Sequence, residues 1–137
     1  MKISFALIII TLILLSSCAV NQKVITLGDN NSAEVITNGT KLKVQLKSNS
    51  STGYKWFYEI ENESVVKFIS SEYKYANADS NLVGAPGATI FDFEGVGEGN
   101  TEIAFVYARP WQMKQAADSL KLAVSVDAKR QVAITKK

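Results

Sequence analysis

Between Lys41 and Lys47 the chain alternates without a break, with Leu42, Val44 and Leu46 set against Lys41, Lys43, Gln45 and Lys47. A period of two puts one set on a buried face and the other in water, as in a half-buried β-strand. The same period returns at Tyr54, Trp56, Tyr58 and Ile60, and at Phe91 and Phe93 within 89–93. It returns again at Ile103, Phe105 and Tyr107, set against Glu102, Ala104 and Val106, and at Leu120, Leu122, Val124 and Val126. Shorter apolar segments at 24–27 and 65–69, and the pair Tyr73 and Tyr75, add further strands.

Turn chemistry separates these segments. Gly28-Asp29-Asn30-Asn31 and Gly95-Val96-Gly97-Glu98-Gly99-Asn100 read as turns, and Asn38-Gly39 as a hairpin signal. Residues 48–53 and 77–87 are polar and glycine-containing. Arg109-Pro110-Trp111 ends a strand, because proline cannot donate to a central ladder. Residues 112–118 form a loop or a single helical turn. No segment has a convincing amphipathic helical period. The chain is therefore expected to be all-β, an antiparallel β-sandwich of seven to eight strands, with Trp56 and Phe105 filling the gap between the sheets.

One apolar run does not fit a strand. Residues 3–15 carry only Ser4 and Thr11 as polar side chains and follow Met1-Lys2. As a helix they would span about 20 Å, short of the ~30 Å hydrocarbon core, so residues 1–17 read as a signal peptide. Leu15-Ser16-Ser17-Cys18 resembles a bacterial lipobox. That resemblance implies cleavage before Cys18, acylation there and anchoring in a lipid bilayer, since several acyl chains anchor stably where one does not. Ala19 follows the cysteine, which favours the outer membrane, facing the periplasm. A secreted protein is the alternative. Asn30, Asn38, Asn49 and Asn62 each open an N-x-Ser/Thr sequon. A glycan at Asn49 would obstruct the loop discussed below, which favours a bacterial host.

The remaining 120 positions suit one domain: a tether at 18–23, a domain over 24–127 and a basic tail at 128–137, expected to be a solvated terminus. Net charge is +2 over 137 residues. Without the leader's Lys2 it is +1, fourteen basic against thirteen acidic. So near-neutral a chain offers no footprint for nucleic acid. It has no histidine and one cysteine. Imidazole-based acyl transfer and His/Cys metal sites cannot be built from it. Neither cofactor nor metal is expected, and the chain does not read as an enzyme. Asp92 and Glu94 share a strand face and read as solvated carboxylates. The glycines at 95, 97 and 99 lack the spacing of a nucleotide loop.

Three segments carry a different signal. Asn49-Ser50-Ser51-Thr52-Gly53-Tyr54, followed by Trp56, combines short hydroxyl side chains with a glycine that lets backbone approach a partner closely. Gly84-Ala85-Pro86-Gly87-Ala88 has little side-chain bulk. Arg109-Pro110-Trp111 joins two residue types enriched at interface hot spots to a proline that limits ordering entropy. In this order and spacing, over about 24–126, they resemble the chagasin family of cysteine-protease inhibitors. The family pattern is Asn-Pro-Thr-Thr-Gly-Tyr/Phe-x-Trp, then a Gly-rich loop, then Arg-Pro-Trp. Here Ser50 stands for the proline and Ser51 for the first threonine, which implies a floppier first loop.

The resemblance implies an immunoglobulin-like sandwich whose three loops enter the cleft of a papain-like cysteine protease together. Residues 49–54 would cover the catalytic cysteine and histidine. Residues 84–88 would line one side of the cleft, and Arg109 and Trp111 would grip the other. Inhibition would be reversible and non-covalent, by a monomer. The alternative is an adhesion or assembly module on the same fold, with no protease partner.

Overall fold

The structure is a computed structural model that describes residues 22–27, 33–76 and 84–135. Nine strands form among these residues: β1 (Gln22–Leu27), β2 (Ala33–Asn38), β3 (Lys41–Ser48), β4 (Lys55–Ile60), β5 (Val66–Tyr75), β6 (Gly87–Gly95), β7 (Gly99–Ala108), β8 (Asp118–Val126) and β9 (Val132–Thr135). They make two antiparallel sheets, ordered β1-β2-β3-β6-β5 and β4-β7-β8-β9. Leader, Cys18 and the remaining tether residues lie outside the described residues. Among the described residues no helix is long and apolar enough to cross a membrane.

The alternating segments form strands because each offers one apolar row to the gap between the sheets. Leu42, Val44 and Leu46 from β3 and Phe91 and Phe93 from β6 face Ile103 and Phe105 from β7 and Leu122 and Val124 from β8, all buried. Trp56 joins them at 9% exposure, with its indole N–H donating to the Lys47 carbonyl at 2.9 Å. Trp56 and Phe105 do bridge the two sheets. Tyr58 of edge strand β4 stacks on Phe68 of edge strand β5 at 4.7 Å and closes the sandwich on that side.

Four details differ from the sequence reading, the first being β2, which was not read as a strand. The segments at 65–69 and Tyr73/Tyr75 are one ten-residue strand, β5, whose register shifts between Phe68 and Ser70. The extra residue of that bulge breaks the two-residue period. The expected C-terminal tail contains β9, which pairs with β8 because Val132 is buried and Ile134 packs on the core. Strand β1 starts at Gln22, two residues earlier than expected, because the ladder to β2 runs from Gln22–Asn38 to Leu27–Ala33.

The ladder fixes two opposite ends of the sandwich. At one end β3 finishes at Ser48, β4 starts at Lys55 and β7 finishes at Ala108, with Lys55 opposite Ala108. At the other, Gln22, Asn38, Lys41, Glu94 and Lys67 form one cross-strand row. The two-residue β2–β3 turn there, with Gly39 at φ +60°, meets the β8–β9 turn through Val132 N–H donating to the Gly39 carbonyl at 2.9 Å.

Candidate functional site

All three segments singled out in the sequence leave strands at the first of these ends. The first loop, 49–54, contains a short 3₁₀ turn over Ser50–Thr52, capped by Asn49. Asn49 Oδ1 accepts from Ser51 N–H at 3.1 Å and from the Ser51 hydroxyl at 2.7 Å, while Thr52 Oγ1 donates back to the Asn49 carbonyl at 2.7 Å. Gly53 closes the turn at φ +78°, a left-handed conformation that glycine adopts without cost. Asn62 uses the same geometry in the β4–β5 turn, taking Ser64 N–H at 3.0 Å and its hydroxyl at 2.6 Å. At both sites the Asn-x-Ser spacing serves an Asx cap.

Each neighbouring loop touches the first. Asn49 Nδ2 donates to the Gly84 carbonyl at 3.3 Å, and Gly84, at φ +89°, sits against Ser51. On the other side a Cβ placed on Gly53 would lie 3.4 Å from the Trp111 ring and 4.0 Å from Arg109 Nε. Of the second loop the structure describes Gly84, Ala85 and Pro86 before β6 begins. Gly87 and Ala88, expected in that loop, belong to β6, paired with Ser48 and Lys47. Gly87 is glycine for a local reason: a Cβ there would collide with the Tyr73 ring and the Lys74 carbonyl. Tyr73 lies across it, and its hydroxyl donates to the Ser48 carbonyl at 3.4 Å.

The third loop is fixed by a ladder of rings. The Arg109 guanidinium lies 4.6 Å from the centroid of Tyr54. Tyr54 stacks on Tyr107 at 5.3 Å, and Tyr107 rests on the buried Trp56 at 5.0 Å. Arg109 Nε is enclosed without a hydrogen-bond partner, so the cation is held by stacking. Beyond it Pro110 is exposed and Trp111 is 71% exposed. Two successive turns, Gln112 N–H to the Arg109 carbonyl at 2.9 Å and Gln115 N–H to the Gln112 carbonyl at 3.0 Å, carry the chain on to β8. A large aromatic side chain left in water at a loop tip is informative, because it contributes little to the isolated fold.

Sequence reading missed Tyr107. Its hydroxyl accepts Asn49 N–H at 3.0 Å and donates to the Asn49 carbonyl at 3.5 Å, pinning the start of the first loop to the strand that leads into the third. Tyr107 reads in sequence as one more inward residue of an alternating strand. The only hint is a phenol at an inward position next to the strand end.

Asp92 and Glu94 lie elsewhere, on the outer face of the five-stranded sheet. They line an open hollow of about 730 Å³ with Lys41 and Lys43. Asp92 pairs with Lys43 at 3.6 Å and accepts from Ser70 Oγ at 3.3 Å, and Glu94 accepts from Thr40 Oγ1 at 3.4 Å. Among the described residues no group of three His, Cys, Asp or Glu side chains could hold a metal.

Comparison with known proteins follows the same residues. The family model described as Chagasin family peptidase inhibitor I42 matches residues 35–126. Chagasin from Trypanosoma cruzi is 32% identical over 92 residues, covering 64% of this chain and 81% of chagasin. Amoebiasin-2 from Entamoeba histolytica is 30% identical over 86 residues, covering 62% of this chain and 69% of its own length. The crystal structure of the cysteine protease inhibitor EhICP2 from Entamoeba histolytica matches with a TM-score of 0.53 at 31% identity, covering 61% of this chain and 75% of that one. The two-sheet arrangement is the immunoglobulin-like sandwich of that fold.

Proposed function

The chain belongs to the chagasin family of peptidase inhibitors, and on that premise we propose that it is a reversible, non-covalent inhibitor of papain-like cysteine proteases that fills the active-site cleft with three loops. One observation carries this reading: loops far apart in sequence touch one another at one end of the sandwich, through Asn49–Gly84 and Gly53–Trp111. A wedge of that kind excludes substrate without any chemistry of its own. Ser51 and Thr52 supply hydroxyls at its tip, Trp111 supplies apolar area, and Arg109 and Pro110 stiffen its flank. The solved relative is a cysteine protease inhibitor by its published description, which supports the same target class here.

The loops are tied down before any partner arrives. Asn49 alone engages Gly84, Ser51, Thr52 and Tyr107. Ordering entropy is therefore already spent, and a standard-size interface of about 1,600 Å² suffices for tight binding. The chain acts as a monomer, exported and held to the bacterial envelope by acylation of Cys18.

The direct test is dilution. Papain saturated with the inhibitor and then diluted far below the dissociation constant regains full activity, and the recovered inhibitor has unchanged mass. A covalent adduct, or cleavage in 49–54 as the price of inhibition, contradicts the reading.

A further inference from the structure

The strand register says where a membrane anchor can hold this domain. Strand β1 begins at Gln22, in the same cross-strand row as Asn38, Lys41 and Glu94. That row lies at the end of the sandwich opposite the loops. From Lys41 to Ser48, β3 takes seven steps of about 3.4 Å, so roughly 24 Å of strand separates Gln22's row from the start of the first loop. Cys18 precedes Gln22 by four residues, a reach of at most about 14 Å even when fully extended. With its loops against the bilayer the domain would carry Gln22 at least ~24 Å above the surface, beyond that reach. An anchor on Cys18 cannot hold the domain upside down.

Charge at the anchor end selects among the orientations that remain. Lys23 and Lys41 are exposed on β1 and β3, and Lys129 and Arg130 are exposed on the β8–β9 turn. The β2–β3 and β8–β9 turns are joined by the Val132–Gly39 hydrogen bond, so these four cations sit along one rim. Arg130 is the one non-glycine residue with positive φ, at +60°, among the described residues. A conformation that favours glycine thus holds a cation at the turn. Glu61, Glu63 and Glu98 occupy the β4–β5 and β6–β7 turns, which adjoin each other where Gly97 meets the Ser64 carbonyl. All four turns lie at this end; the basic rim also holds Asp127, in the β8–β9 turn, and Glu94, opposite Lys41, so its four cations stand against two carboxylates, while the acidic turns lie toward β4 and β5 at the opposite edge of the sheets from β1 and β9.

We propose that this end is the membrane-facing end, with Lys23, Lys41, Lys129 and Arg130 leaning toward phospholipid phosphates and the three loops held outward, more than a strand's length from the bilayer. The proposal rests on the reading of Cys18 as a lipidated residue. It makes the loop tips available to a protease diffusing in the compartment, where an anchor at the other end would bury them.

The test uses the full chain, processed in a bacterial host and reconstituted in vesicles of phosphatidylethanolamine and brominated phosphatidylglycerol. Incorporation of labelled palmitate by the wild type and not by Cys18→Ser checks the lipidation reading separately. Its absence overturns that reading and this proposal with it. Given lipidation, the wild-type emission, from Trp56 and Trp111, is expected to be unquenched by the brominated lipid, while the additional emission contributed by a tryptophan introduced by Gln131→Trp is quenched at least twofold. Adding Lys129→Glu and Arg130→Glu is expected to cut the quenching at position 131 by half or more. Quenching of the wild-type emission equal to that at position 131 overturns the orientation alone, and quenching at 131 indifferent to the charge reversals overturns the headgroup contact.

Discussion

Removing the Trp111 ring separates what holds this fold together from what the fold is for. The side chain is 71% exposed, and across the loops its ring lies against Gly53. A large aromatic residue offers up to ~250 Å², so about 180 Å² of Trp111 lies in water. If docking covers half to all of that, at about 25 cal/mol per Å², the loss in Trp111→Ala is about 2 to 4 kcal/mol, or about 30- to 1,000-fold in affinity. Stability of the free protein should change by less than about 0.5 kcal/mol, as for a surface substitution. Inhibition constants against papain measure the first quantity and urea unfolding midpoints measure the second. An affinity loss below about threefold, or a stability loss that matches the affinity loss, would refute Trp111 as an anchor.

Three further substitutions probe how the loops are held. Ser50 is the first residue of a 3₁₀ turn whose preceding Asn49 has φ −133° and ψ 105°, a conformation a following proline accepts. Ser50→Pro should therefore fit and raise stability by about 0.4–1 kcal/mol through lost freedom of the unfolded chain, with inhibition unchanged because the loop is already held; a lowered unfolding midpoint would show that the turn cannot take the ring. Tyr107→Phe leaves Asn49 N–H without its acceptor but keeps the ring ladder, so inhibition should weaken by about 5- to 30-fold, from the about 1–2 kcal/mol cost of an unpaired donor. Unchanged inhibition constants would deny Tyr107 that positioning role. Gly87→Ala forces a Cβ into Tyr73 and the Lys74 carbonyl and should lower stability by about 1–3 kcal/mol in denaturant titration; an unshifted midpoint would contradict the close approach.

The strands that alternate cleanly, β3, β4, β7 and β8, could be read from the sequence because one face is buried and the other wet. β2 is harder to see: Ile36 points outward beside Lys43, and Thr37 points in and is buried. The bulge near Ile69 hid the continuity of β5, and the charges at 129–130 masked the short apolar alternation of β9. The three loops were recognisable as a set only through their likeness to a family, because each alone is an ordinary turn or a tryptophan. Periodicity cannot tell which loops share an end; strand pairing decides that. The first loop was also expected to be floppier without its proline. The Asn49 cap on Ser51 and the Tyr107 hydroxyl hold its start; the second joins residues 58 positions apart, which no local pattern announces.

Titrating papain with the chain lacking residues 1–18 tests the central claim most directly. Activity should fall linearly to zero near one inhibitor per active enzyme when the enzyme is well above the dissociation constant. Papain that stays fully active at large molar excess of folded protein would show that the loop cluster is not a protease-blocking wedge.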